Sequence, residues 1–91
     1  MGKARIIRIF NQVKKRQVIG ASLLAGEVCD DSECNIIRND TVIGQCRIRE
    51  LQIERVKVKK VDENINFGAL LESKVTLALG DILEAVRIVE K

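Results

Sequence analysis

The stretch IRNDTVI, residues 37–43, places the pair Asn39-Asp40 between two short runs that contain β-branched apolar residues. Asn and Asp adopt the positive φ angles of a tight, twisted β-hairpin more readily than most other residues that carry a side chain. The stretch therefore predicts a hairpin whose strands cover residues 34–38 and 41–49.

Turn signals and short apolar runs predict further strands on both sides of this hairpin. We expect strands over residues 4–10, 18–24, 55–59, 67–71 and 82–89. Turns or loops are expected at residues 25–26, 30–32, 62–66 and 79–81, and the basic run 14–16 is expected to be a solvated connection. Ile6-Ile7 breaks the alternation of the first strand, and Gly20 in the second predicts a bulge or a close backbone approach. Short strands at this spacing are typical of a closed barrel or a sandwich.

The C-terminal segment has a competing interpretation. Residues 81–84, DILE, have the form of a helix capping box, and Ile82, Val86 and Val89 would line one face of a helix. A C-terminal helix therefore stays open as an alternative to the strand over 82–89.

Residues 55–59, RVKVK, have the cleanest two-residue alternation in the chain. As a strand, this segment would turn Val56 and Val58 to one face and the cations Arg55, Lys57 and Lys59 to the other. We name these three cations the cationic stripe. It is interpreted either as a solvated strand face or as a surface that contacts phosphates.

The composition is that of one globular domain spanning residues 1–91, with 46% hydrophobic and 32% charged residues. No apolar run approaches the roughly 20 residues of a membrane span, and the N-terminus lacks the apolar stretch of a signal peptide. We therefore expect a protein of the cytoplasm or of an organelle matrix, with no membrane partner. The net charge of +3 suits a phosphate-rich partner without requiring one.

The residue types that carry most enzyme chemistry are scarce. The three cysteines, Cys29, Cys34 and Cys46, occur without any histidine, which argues against a zinc site and against a cysteine nucleophile with a histidine base. We expect reduced thiols, no metal, no cofactor and no catalytic residue. Because Phe10 and Phe67 are the only aromatic residues, the composition also argues against a platform on which bases stack.

Six elements then follow one another in a distinctive order. They are a strand from Ala4 to Phe10, VIGA at 18–21, Gly26, DS at 31–32, IRNDTV at 37–42 and GDILE at 80–84. In this order and spacing, residues 4–85 resemble the C-terminal domain of bacterial-type translation initiation factor two. The resemblance implies an all-β fold, a small closed Greek-key β-barrel similar to domain 2 of elongation factor Tu. It also favours a strand over a helix at the C-terminal end.

The same resemblance implies a function without catalysis. The family's domain binds the acceptor end of initiator tRNA and recognises its formylmethionine, so the implied partners are initiator tRNA, the ribosome and a GTPase domain of a parent factor. The chain has no Gly-x-x-x-x-Gly-Lys-Ser/Thr loop, so we expect no GTP hydrolysis by it alone. The alternative is a barrel of the same ancestry that serves as a protein-interaction or structural module without tRNA selectivity.

Matching positions to the family assigns residues to the tRNA site. These are Ala21, Ile53, Arg55, Asn66, Phe67 and Gly68, with Lys57 and Lys59 as phosphate contacts. The pocket differs from the family pattern, because Ala21 replaces a cysteine and Asn66-Phe67 replace Glu-Cys before the retained Gly68. Glu54 replaces an aromatic residue and would repel phosphates by about 1 kcal/mol at solvated distances. Phe67 is interpreted either as a wall for the methionine side chain or as a core residue.

Overall fold

The computed structural model describes residues 2–13 and 15–88. Lys14 of the predicted basic connection and Val89 of the last predicted strand lie outside these residues. The described part contains nine strands: β1 (Lys3–Val13), β2 (Arg16–Ala25), β3 (Val28–Cys29), β4 (Ser32–Arg38), β5 (Thr41–Ile53), β6 (Val56–Val58), β7 (Lys60–Val61), β8 (Asn66–Ser73) and β9 (Ile82–Ile88). Because residues 82–88 form β9, the alternative of a C-terminal helix is wrong. Nothing in the described ranges is a helix that could cross a membrane.

Six of these strands close into an antiparallel barrel. Around the ring they run β4-β9-β1-β2-β8-β5, and β5 pairs with β4 to close it. The ring strands β4, β5 and β8 follow one another, and β9 returns to lie beside β4, which is a Greek key. The predicted all-β barrel is therefore confirmed. Strand β6 pairs only with β5, and β3 pairs with β7 in a separate ladder.

The core fills the interior of the barrel. Because side chains alternate along a strand, each ring strand sends every second residue inward, where side chains fill a barrel of this size. Ile6, Ile19, Ile36, Ile48 and Leu71 are among the largest fully buried side chains. Phe67 is also buried in this cluster, as the core interpretation of that residue predicted.

The hairpin around Asn39-Asp40 is confirmed. The two residues have φ angles of 51° and 62°, and Arg38 pairs with Thr41 directly across the turn. Positive φ at both central positions is the twisted turn that the sequence predicted. Local turn chemistry therefore sets the register in which β4 meets β5.

The strand predicted over residues 55–59 is wrong at both ends. Glu54 and Arg55 have φ angles of 50° and 68° and form a second tight turn, so β6 begins only at Val56. Val56 is 64% exposed, because β6 lies outside the ring and has no core beneath it at that position. Positive φ costs roughly 1 kcal/mol for residues of this kind. Pairing of β6 with β5 offsets that cost.

Gly20 shows the close approach that the sequence allowed, and the bulges lie in the neighbouring strand. The register of β1 against β2 shifts between Ile6 and Arg8 and again between Ile9 and Asn11, so β1 bulges at Ile7 and Phe10. Cε2 of Phe10 lies 3.3 Å from the position that a Cβ on Gly20 would take. The glycine therefore leaves room for the Phe10 ring on the outer surface.

Residues 74–81 connect β8 to β9 and are held by buried polar contacts. The Leu77 amide donates to Gln17 Oε1 at 2.9 Å, and Gln17 Nε2 donates to the Val75 carbonyl at 3.0 Å. Gln17 is only 2% exposed, so these bonds satisfy a buried amide. Val75 in turn packs against Gly44, where a Cβ would come within 2.5 Å of Val75 Cγ2.

Candidate nucleic-acid interface

A row of five outward positions crosses the outer surface of five neighbouring strands. Arg8 on β1 pairs with Gly20 on β2, which pairs with Gly68 on β8, then Gln52 on β5 and Lys57 on β6. We name this row the glycine trough. Two of its members have no side chains. The backbone at Gly68 is partly exposed, so a ligand can approach it closely, whereas Gly20 is buried beneath the Phe10 ring and the Arg8 side chain.

An open groove of about 370 Å³ lies along one side of the trough. Phe10, Val18 and Leu70 give it an apolar lining, and Glu50 and Gln52 supply polar groups on the opposite side. The strand register explains this arrangement, because Val18 pairs with Leu70 and Leu70 pairs with Glu50 in the row next to the trough. A few polar groups facing an apolar surface are typical of sites for small planar ligands.

The two ends of the trough differ electrostatically. At the β6 end, Lys57 Nζ lies 2.8 Å from Glu50 Oε1, and this hydrogen bond raises the pKa of Lys57. At the β1 end, Arg5 and Arg8 are exposed and have no ion-pair partner within residues 2–13 and 15–88. Free guanidinium groups are strong ligands for phosphate oxygens. An anionic partner would therefore meet two arginines without ion pairs beside β1, whereas Lys57 on β6 is already paired with Glu50.

The predicted site residues on β2 and β8 divide between the two faces of the barrel wall. Asn66 is exposed and pairs with Ser22, and Gly68 forms part of the trough floor. Ala21 and Phe67 pair with each other but are 0% and 5% exposed, so their side chains face the core. At Ala21 and Phe67, a ligand on the outer surface would therefore meet backbone atoms and not side chains.

The remaining predicted residues lie near β6 and do not form one stripe. Ile53 packs against the core, Arg55 is exposed in the tight turn, and Lys57 belongs to the trough. Lys59 lies beyond the end of β6, where its carbonyl accepts a hydrogen bond from the Asp30 amide at 2.8 Å. The cationic stripe as a single strand face is therefore wrong, because only Lys57 of its members is part of β6.

Sequence reasoning missed the groups that β1 brings to the trough, namely Arg5, Arg8 and Phe10. Phe10 is 63% exposed on the outer surface. The signal that could have found it is the broken alternation at Ile6-Ile7, since a bulge changes the face on which the following residues emerge.

The cysteines lie away from the trough. Cys34 and Cys46 face each other across β4 and β5, and a hydrogen bond in which the Cys46 thiol donates to Cys34, together with burial, raises the pKa of Cys46. Burial also raises the pKa of Cys29, and nearby Glu27 and Asp30 add to the effect. The thiols of Cys29 and Cys46 therefore stay protonated near neutral pH. In the described ranges, no group of three or more His, Cys, Asp and Glu side chains is arranged to hold a metal.

A second open groove, of about 830 Å³, lies over β4, β5 and β8, and its lining includes the cations Lys15, Arg47 and Lys74 and the carboxylates Glu33 and Glu72. Its outer row alternates in sign, because Arg16 pairs with Glu72, Glu72 with Arg47, and Arg47 with Glu33. Arg49 adds a 3.3 Å ion pair to Glu72. The charges of this row largely compensate one another, while Lys15 and Lys74 give the groove lining a small excess of positive charge.

The fold and the trough together define a small β-barrel module with a row of outward positions, the glycine trough, across its outer surface. No protein-family model matches the chain. It is similar over all 91 residues to curated proteins named translation initiation factor IF-2. The protein of Wolbachia sp. subsp. Brugia malayi is 32% identical to the chain, which covers 12% of that protein's length. The protein of Chlorobaculum tepidum is 31% identical and is covered over 10% of its length. The protein of Mycoplasmoides gallisepticum is 26% identical and is covered over 15% of its length.

The chain thus spans about a tenth of the length of the curated relatives that it matches. Similarity along the entire chain supports a relationship to the initiation factor IF-2 family, in agreement with the resemblance seen in the sequence.

Proposed function

We propose that this chain is a translation initiation factor module that binds the acceptor end of initiator tRNA without catalysing a reaction. The observation that carries the proposal is the glycine trough, a backbone-floored surface with two arginines at one end, Arg5 and Arg8, that form no ion pair in the described ranges. The similarity to IF-2 proteins over the entire chain supports it. The ribosome, a GTPase domain of a parent factor and a location in the cytoplasm or an organelle matrix belong to the same proposal.

Charge and shape would act together in this binding. Arg5 and Arg8 attract the phosphates of the acceptor strand, and the missing side chain at Gly68 lets the strand lie close to the sheet. Lys57 contributes less, because Glu50 already neutralises it. The bound end would therefore enter from the β1 side.

Selectivity for formylmethionine is the finer part of the proposal. From the match to family positions we propose as tRNA-binding residues Ala21, Ile53, Arg55, Asn66, Phe67 and Gly68, with Lys57 and Lys59 as phosphate contacts. Gly68 and Asn66 lie on the outer surface, whereas Ala21 and Phe67 lie inside the wall beneath them. An aminoacyl group on this surface would contact Gly68 and Asn66 directly.

The test is a titration of the protein with formylmethionyl, methionyl and deacylated initiator tRNA at several salt concentrations. Binding through phosphates makes the logarithm of affinity fall with the logarithm of salt, by close to one unit for each phosphate contact. We expect Arg8→Glu to weaken binding about tenfold or more and to reduce the slope by about one. Lys74→Glu is the matched control, because Lys74 is exposed in the second groove and the charge change is the same. Equal affinity of both variants would refute the proposed surface.

A protein-interaction module is the second candidate, favoured by the edge of β1. Strand β9 pairs with β1 only from Lys3 to Arg5, so the edge from Ile7 onward has no strand partner in the described ranges. Ile7, Phe10 and Val13 are exposed along it. Binding of a protein segment with a flat salt dependence, together with no affinity for tRNA, would favour this second candidate.

A further inference from the structure

Phe10 is an aromatic side chain that the fold keeps on its surface in a fixed place. The residue is 63% exposed, and Cε2 and Cζ lie 3.3 Å and 3.7 Å from the position of a Cβ on Gly20. One edge of the ring therefore rests on the glycine while much of the side chain faces solvent. A phenylalanine left largely exposed forgoes much of the hydrophobic stabilisation that burial would give, which is a reason to ask what the ring contacts.

The surroundings of the ring combine three kinds of group. Arg8 lies beside the Phe10 ring, because its Cβ is 3.4 Å from the position that a Cβ on Gly20 would take. Arg8 forms no ion pair in the described ranges. Val18 and Leu70 extend the apolar surface, and Glu50 lies across the groove from the ring. The groove thus offers an aromatic surface and a hydrogen-bond acceptor, and Arg8 adds a cation beside the Phe10 ring.

We propose that this groove takes one unpaired nucleobase of an RNA strand, stacked on Phe10, with the adjoining phosphate on Arg8. A nucleobase has apolar faces and polar edges, and it is joined to an anionic phosphate, which matches the three kinds of group in the groove. The inference rests on the proposed function in that RNA is the partner, and it adds the residue that holds a base. The scarcity of aromatic residues limits the surface to one base instead of a row of them.

The surface can stack one base, because the other aromatic residue is buried. Phe67 lies in the core, so Phe10 is the single aromatic side chain available on the surface of the described chain. Stacking on an aromatic side chain contributes about 1–3 kcal/mol per base. Replacing Phe10 with leucine keeps an apolar side chain but removes the aromatic ring. This change should therefore weaken RNA binding by about 5- to 150-fold.

The chain contains no Trp and no Tyr, so a single introduced tryptophan reports on its own surroundings without background. We expect the fluorescence of Phe10→Trp to be quenched in a saturable way by a short single-stranded RNA that ends in adenosine. An otherwise identical RNA with an abasic last residue should quench much less. Val42→Trp is the matched control, because Val42 is 53% exposed beside the turn between β4 and β5 and lies outside the groove.

The outcomes separate this inference from the proposed function. If initiator tRNA binds but Phe10→Leu leaves its affinity unchanged, or the fluorescence of Phe10→Trp does not respond, the stacking site is refuted while the tRNA interface stands. If the short RNA quenches the fluorescence of Phe10→Trp but initiator tRNA does not bind, the base site stands and the proposed function fails. If Phe10→Leu binds a protein segment more weakly and no RNA binds, both proposals are overturned. Thermal unfolding of each variant within a few degrees of the original protein checks that the fold is intact.

Discussion

Substituting Gly68 by alanine should separate binding from stability. The backbone of Gly68 does not have a positive φ, and a Cβ there would meet only the carbonyl oxygens of Gln52 and Ile19, both at 3.9 Å. These are ordinary contacts, so the fold accepts the methyl group. Because glycine loses more conformational entropy on folding than alanine, we expect stability to be unchanged or to rise by up to about 1 kcal/mol.

The same methyl group fills the floor of the glycine trough. It raises the floor by about 1.5 Å, the length of one carbon–carbon bond. A strand that lies against the backbone there is displaced, and we expect at least a tenfold loss of affinity for initiator tRNA, or about 1.4 kcal/mol. Urea unfolding and a tRNA titration of the same preparation measure the two effects side by side.

Gly44→Ala is the control with the opposite pattern. A Cβ at Gly44 would lie 2.5 Å from Val75 Cγ2, so the Val75 side chain must shift. We expect a loss of about 1–3 kcal/mol in stability, with the tRNA affinity of the folded protein unchanged. If Gly68→Ala binds tRNA like the original protein, or if it unfolds as readily as Gly44→Ala, the reasoning about the trough is refuted.

Three further predictions address the connection from β8 to β9 and the charge on the trough. Gln17→Leu should lower the unfolding free energy measured in urea by about 1–3 kcal/mol, because it leaves the buried Leu77 amide without its acceptor. A change below about 0.5 kcal/mol would contradict this. The two hydrogen bonds from Arg38 lower the pKa of Asp81. These bonds should therefore stabilise the fold fully above the ordinary carboxyl pKa of about 3.9, and this stabilisation should be lost as pH falls through the lowered pKa of Asp81. The difference in unfolding free energy between the original protein and Arg38→Met should accordingly shrink in acid, and a difference that grows would contradict this. Glu50→Gln should strengthen tRNA binding by a few-fold because it removes a negative charge and frees Lys57; weaker binding would show that Glu50 itself contacts the ligand.

The part of the fold that local chemistry controls could be predicted from the sequence. Asn39-Asp40 predicted its hairpin because both residues accept positive φ, and the structure confirms it. The turn at Glu54-Arg55 could not be predicted in this way, because neither residue type is a turn signal and pairing of β6 with β5 imposes the conformation. Closure of the barrel depends on contacts distant in sequence, and its prediction rested on the family resemblance.

The candidate site was only half predictable for a related reason. Position matching identified the stretch of β8 that borders the trough but not the face of each residue. Neighbours along a strand point to opposite sides, so Gly68 lies in the trough while Phe67 lies in the core. Phe10 was missed because two bulges in β1 change which residues reach the outer surface.

The most direct measurement of the central claim is an NMR titration of the isotopically labelled protein with initiator tRNA, read at the backbone amides. The account predicts that the largest perturbations occur at Gly20 and Gly68, with small changes at Gly44 and Lys74. Perturbations centred on Gly44 and Lys74, or none at the two trough glycines when tRNA is saturating, would contradict it.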